Sequence, residues 1–240
     1  MAATSSLRQV LTGLQDYPAL ARAISDPAAP TAQKRQLLAD VFGAPGPDGA
    51  ALDEMVNRSW GSPAELLEWV EKTAVAQAWT QAQSEGTLGV AIDEVFGFGQ
   101  LVLRDHDVRA AVTDRNVPRA RRQDLVRAMV SGRITSSAQE VILTAVASEH
   151  GTIDDALHTH LCAGAEIAGA RLAAVTVAMP MGAEQKERLA AALATRLGSP
   201  VIVEEIVDPT VLGGVRVECG SEVIDSTLAA RLASVRRDFA

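Results

Sequence analysis

The chain has 240 residues, 48% of them apolar and 22% charged, enough to bury a sizeable core and too apolar for a disordered tail. Its formal charge of -8 makes nucleic acid or an anionic membrane surface a poor default partner, and aromatics at 3% leave little on which bases could stack. Two cysteines, Cys162 and Cys219, form no disulfide framework and fit a reducing compartment. The opening MAATSSLRQV lacks the pattern of a signal peptide. The longest apolar stretch, Leu172 to Met181, is shorter than the roughly 20 residues a membrane span needs.

From the start to about residue 170 apolar residues recur at helical spacing. Leu20 and Ile24 mark a helix that runs into a turn at Asp26. Pro30 suits the first position of the next helix, which carries Leu37 and Leu38 and stops at Gly43. Pro45 to Gly49 is a loop. Val108 and Val112 lead into a second such turn at Asp114. Pro118 then opens a helix with Leu125 and Val126 that ends at Gly132. Ser137 and Glu140 have capping-box spacing ahead of Val141, Ile142, Ala145 and Val146, with Gly151 closing that helix. Asp154 and Asp155 suit the first turn of the following helix, which carries Leu157 and Leu161.

After a boundary near Ala168 to Leu172 the pattern changes. Short β-branched runs at Val175–Val177, Val201–Val203 and Val215–Cys219 read as strands. They alternate with helical patterns from Glu184 to Leu197, stopped by Gly198-Ser199-Pro200, and from Thr227 to Phe239. The expected fold is mainly α: an N-terminal helical bundle in two segments, 1–88 and 89–170, then a small α+β domain over 171–240. The two segments align without gaps, Ser25–Phe42 on Thr113–Val130. Asp26 meets Asp114, Pro30 meets Pro118, Ala32 meets Ala120 and Leu37 meets Leu125. Either the helical unit is duplicated, or two unrelated helix pairs share common turn chemistry.

Chemistry-bearing motifs are few. On a helix, His158 and Cys162 share a face while His160 points away, so one semi-buried cysteine and two surface histidines is the expectation, not a metal site. Gly97-Phe98-Gly99 lacks a third glycine and a preceding strand, and close helix packing accounts for it. Gly213-Gly214 is a tight turn into a strand, not a phosphate loop. Asp93-Glu94 and Glu204-Glu205 read as ordinary surface pairs, with no argument for a tuned carboxyl couple. No cofactor is expected. Between Arg104 and Arg133 eight arginines face four aspartates, so this segment carries +4 in an acidic chain. It is either a docking patch for an acidic partner or a solvated face of local ion pairs.

The run from Val201 to Asp225 closely resembles the C-terminal signature of the delta subunit of F-type ATP synthases, relatives of the mitochondrial oligomycin-sensitivity-conferring protein. Val207-Asp208-Pro209, Gly213-Gly214, Gly220 and Val223-Ile224-Asp225 carry the resemblance. Ala178-Met179-Pro180-Met181 with Gln185 and Leu189 continues it upstream, with Met181 where leucine is usual and Thr227 where serine is common. These are fold residues: Gly213 and Gly214 turn the chain, Gly220 suits a hairpin, and Asp225 can cap the helix after it. Leu20, Ser25-Asp26-Pro27, Lys34, Leu37-Leu38 and Phe42 are similar to the family's N-terminal helical domain, as are Val108, Asp114, Pro118, Arg122 and Leu125-Val126. The chain resembles a long form with extra helical material, found in some high-GC bacteria. In some of those, delta is fused behind a membrane-anchored subunit b; no such span precedes the helices here.

The resemblance implies a non-catalytic stator subunit. Its helical part would bind N-terminal segments of the alpha subunits, and its C-terminal domain the C-terminal helices of subunit b. It would sit peripherally on the cytoplasmic face of the bacterial cell membrane, touching the membrane only through the complex and binding no nucleic acid. Candidate interface positions are Val95, Phe98, Val102 and Leu103, with Arg119, Arg121 and Arg122; core packing is the competing reading of the apolar four. The alternative function is a helical-repeat adaptor that binds an acidic protein or RNA through the arginine-rich face.

Overall fold

The structure, a computed structural model, describes residues 7–43, 49–148, 151–211, 213–220 and 222–225. Ten helices come first: α1 (Leu7–Asp16), α2 (Pro18–Ser25), α3 (Thr31–Phe42), α4 (Gly49–Asn57), α5 (Pro63–Ser84), α6 (Leu88–Arg104), α7 (His106–Thr113), α8 (Arg119–Val130), α9 (Ser136–Ala147) and α10 (Ile153–Ile167). Then follow β1 (Arg171–Val177), α11 (Ala183–Leu197), β2 (Val201–Val207), β3 (Val215–Cys219) and β4 (Glu222–Asp225). The fold is mainly α with a small α+β part at the C-terminal end. Of the expected loop from Pro45 to Gly49, Gly49 instead opens α4; the rest of it and the helix from Thr227 to Phe239 lie outside the described residues, as does Asp225's expected role as that helix's cap.

Three apolar clusters hold these elements. Leu7, Val10, Leu14, Ile24 and Met55 gather α1 to α4 around the first half of α5, through Leu66 and Val70. The second half of α5, through Val75, Trp79 and Ala82, belongs to another cluster with Ile92 and Val95 of α6, Val126 of α8, Ile142 of α9 and Leu161 of α10. One helix of 22 residues is thus shared by both. Every residue of α9 from Val141 to Ala147 is buried, as expected of a helix walled in on all sides.

The turns around Asp26 and Asp114 match bond for bond. The helices α2 and α7 both span 8 residues, and α3 and α8 both span 12. Oδ1 of Asp26 accepts from Ala28 N at 2.8 Å, and Oδ1 of Asp114 from Asn116 N at 2.9 Å. The Pro30 carbonyl accepts from Gln33 and Lys34, the Pro118 carbonyl from Arg121 and Arg122, all at 2.9–3.2 Å. These prolines stand one position earlier than expected. They cap their helices in extended conformation, with φ -60° and -51°, where proline again forfeits no hydrogen bond. Gly43 caps α3 at φ 84°, whereas α8 ends at Ser131 and Gly132 (φ 70°) is the next residue of the turn.

Two further expectations need correction. The cap of α9 is Thr135, whose side chain accepts from Ala138 N. Ser137 is buried and Glu140 instead pairs with Arg8 of α1. Gly97 and Gly99 are not sites of tight packing: nothing would touch a Cβ at Gly97, and one at Gly99 would meet Leu157 at an ordinary 3.7 Å. The close approaches are at Gly13, against Phe42, and Gly164, against Trp79.

The sheet order is β2-β1-β3-β4, with β1 and β2 parallel and the other pairs antiparallel. Pleating sends Val201, Val203 and Val207 with Ala173, Val175, Val177, Val217 and Cys219 toward Leu193 of α11. The opposite face carries Leu172 and Ile202, which join the helical core instead. The C-terminal part is therefore seated on the helical body through β1 and β2. Among the described residues no helix is long and apolar enough to cross a membrane.

Candidate functional site

On α6 the apolar stripe of Leu88, Ile92, Val95, Phe98 and Val102 follows a helical period and is buried. Val95, Phe98 and Val102 are therefore core residues, at 0%, 6% and 0% exposure. Leu103, at 54%, is the one of the four that reaches the surface. Val90 and Leu101 of α6 and Leu125 of α8 are also exposed. Val90 and Leu101, large apolar residues off the stripe, carried a signal that went unread.

The arginines divide by role. Arg119 reaches Asp16 at the end of α1 (2.9 Å) and Arg122 donates to the Val112 carbonyl (3.2 Å). Arg109 pairs with Asp154 (2.7 Å), tying α7 to α10, and Arg127 pairs with Asp124 on its own helix. Arg104, Arg115, Arg121 and Arg133 are exposed. Of the three arginines singled out, Arg119 and Arg122 brace the body and Arg121 faces solvent.

On α10, His158 and Cys162 do share a face, with Nε2 3.6 Å from Sγ. Burial, then Glu166 and Cys219, push the Cys162 thiol above its ordinary range, the opposite of an activated thiolate. His160 is not a surface residue. It is 4% exposed, its Nε2 lies 3.2 Å from Oε1 of buried Glu71 on α5, and its carbonyl accepts from Trp79 Nε1 at 2.9 Å. Ser148 donates to the other Glu71 oxygen. This buried polar cluster pins α10 to α5. Among the described residues no three His, Cys, Asp or Glu are grouped to hold a metal ion.

The signature residues form a crossing. Val207 ends β2 level with Val177, and Asp208 N extends the ladder by donating to the Val177 carbonyl (2.8 Å). The Asp208 carboxylate accepts from the hydroxyl and amide of Thr210, which hold it below the usual carboxylate range. After Pro209 the chain passes the end of β1, turns at Gly213 and Gly214 (φ 66° and 82°) and returns on the far side of β1 as β3. Positive φ at two successive positions is what glycine alone adopts freely. Gly220 (φ 60°) follows β3, and Val217 faces Ile224 across the β3–β4 ladder. Upstream, Gln185 accepts from Gly182 N at 2.8 Å and secures the start of α11.

The four carboxylates of the two adjacent acidic pairs are all engaged, contrary to expectation. Glu94 accepts from Thr135 N and Oγ1 at the start of α9. Glu205 takes the Lys186 ammonium (2.6 Å) and Met181 N; burial opposes ionisation, but these partners hold its carboxyl below the usual range. Glu204, 5% exposed, faces Asp93 of α6. Burial foremost, then the Asp93 carboxyl, push Glu204 up to about 8. Nothing local announces this pair, because only the packing of β2 on α6 brings its members together.

The family model described as ATP synthase delta (OSCP) subunit matches residues 75–239. The chain is 36% identical to ATP synthase subunit delta of Streptomyces avermitilis over 92% of its own length and 82% of the relative's. It is 35% identical to the protein of the same name from Salinispora tropica, over 95% and 84%. For the one from Cutibacterium acnes the figures are 33%, 92% and 84%.

Proposed function

Because the chain belongs to the ATP synthase delta (OSCP) subunit family, we propose that it is a stator component of a proton-translocating F-type ATP synthase. It links the catalytic head to membrane-anchored subunit b on the cytoplasmic face, so that rotor torque is not lost in rotation of the head. The helical body takes N-terminal segments of the alpha subunits, and the sheet domain takes the C-terminal helices of b. The subunit itself is non-catalytic. The observation that carries this reading is the crossing at Val207 to Gly214: the run that resembles the family's C-terminal signature, within the matched range, also builds the turn on which the C-terminal sheet depends.

The two helical segments are copies of one unit in this reading. The matched turns at Asp26 and Asp114 support it, as do the equal lengths of the helices that flank them. Amphipathic segments would lie against exposed apolar positions such as Val90, Leu101 and Leu103, with the exposed Arg121 of α8 offering a charge to an acidic partner.

Co-purification tests the proposal. A tagged chain extracted with its membranes in mild detergent should bring down alpha, beta and b subunits; recovery alone or with RNA would overturn it. Within the assembly, Arg121→Glu should weaken attachment to the head by several-fold, about 1 kcal/mol, with the melting temperature unchanged. The same reversal at Arg119 or Arg122 would also cost stability, since both are tied into the body. Titration calorimetry against the isolated head reads the first effect.

A further inference from the structure

We propose that the Asp93–Glu204 carboxyl pair is a proton-operated latch that holds the C-terminal sheet against the helical body. β2 is an edge strand, and its residues alternate between α11 and the helical core. Ile202 enters that core, and Glu204, two residues on, points the same way. Its Oε1 is buried with no hydrogen-bond partner among the described residues. The group it meets across the seam is another carboxyl, on α6. With Glu204 buried and Asp93 facing it from the exposed side, the two cannot both ionise without strong repulsion. A shared proton resolves the conflict: one carboxylic acid donates its O–H to the other carboxylate.

The remaining charges do not replace that proton. Lys186 of α11 favours ionised Glu204 only weakly, since its ammonium is committed to Glu205 at 2.6 Å. β1 places uncharged Ala174 level with Glu204, and beyond it Glu218 of β3 is paired with Arg216 at 2.6 Å. α10, packed on β1, carries His158, Cys162 and Glu166, none of which acts on Glu204.

Closing the seam therefore takes one proton from solvent onto the pair, and opening returns it. The sign follows from linkage. In the open form Glu204 has its ordinary value of 4.5, and in the closed form about 8. Closure is fully favoured below the lower value. The opening constant then rises about tenfold per pH unit between the two and levels off above the upper one.

The test uses the full chain, with glutamate side-chain carboxyls labelled with carbon-13 and amide exchange corrected for its intrinsic pH dependence. Glu204 should titrate near 8, and the amides of 202–206 should lose protection about tenfold per unit from pH 6 to 7.5, while those of β1 and α9 hold. Glu204→Gln, whose amide can donate to Asp93, should stay closed with a flat profile. Asp93→Asn removes the opposing charge from the exposed side of the seam and should move the transition to lower pH. Titration of Glu204 with ordinary carboxylates overturns the latch. So does loss of protection spread evenly over the chain, or a profile in Glu204→Gln that matches the parent.

Discussion

Two glycines stand against aromatic rings, and the surroundings of each ring decide what a side chain there would cost. A Cβ at Gly13 would approach the Phe42 ring to 2.5 Å, one at Gly164 the Trp79 ring to 2.9 Å. Phe42 is half-buried at the end of α3, and its ring tip can swing aside. Trp79 is fully buried and held by its indole N–H on the His160 carbonyl. Gly164→Ala should therefore destabilise by about 1–3 kcal/mol and Gly13→Ala by less, despite the shorter contact, as urea unfolding would show. His160 illustrates what single residues conceal. Its position on α10 is legible from the helical period, but its burial depends on Glu71, 89 residues away on α5. The same holds for Glu204 and Asp93. Long-range partners of polar groups are a property of packing, and no spacing in the chain encodes them locally.

At the scale of elements, turn chemistry was legible because it is local. Asp26 and Asp114 hydrogen-bond to amides two residues on, so the residues themselves specify the turn. The start of α9 shows the limit. Thr135, Ser136 and Ser137 are all good caps, and capping-box spacing to Glu140 pointed to Ser137, the wrong one. The choice is made by Glu94 of α6, which accepts from Thr135, and by the burial of Ser137 in the core. Thr135→Ala should cost about 1–2 kcal/mol, whereas Ser137→Ala, which removes a buried hydroxyl with no partner among the described residues, should be neutral or mildly stabilising. Thermal melts of the two variants discriminate the caps directly. β3 and α11 fall close to their expected spans, since a β-branched run and a Gly-Ser-Pro stop are strong punctuation. β1 and β2 extend well beyond Val175–Val177 and Val201–Val203, because pairing with each other carries the ladder past the β-branched runs.

At the scale of the molecule, the two helical clusters share α5, so neither can lose its structure without exposing part of the other. Leu66→Ala, in the first cluster, and Ile142→Ala, in the second, should each cost about 2–5 kcal/mol. Each should lower one common unfolding transition, visible as coincident loss of amide protection in both clusters; two separated transitions would show that the clusters are independent. The outline of a helical body with a small sheet domain behind it was readable from apolar spacing and β-branched runs, but this sharing was not, because α5 shows no break between its halves. In the proposed stator role, between a twisting head and a fixed anchor, the shared helix would have a mechanical meaning. It is a rod of about 33 Å, with Leu66 and Val70 gripped at one end and Trp79 and Ala82 at the other. In that role, force passed between the clusters would run along this helix, beside the Arg8–Glu140 and Arg119–Asp16 links, and would load the side chains packed on it in shear, together and not one contact at a time.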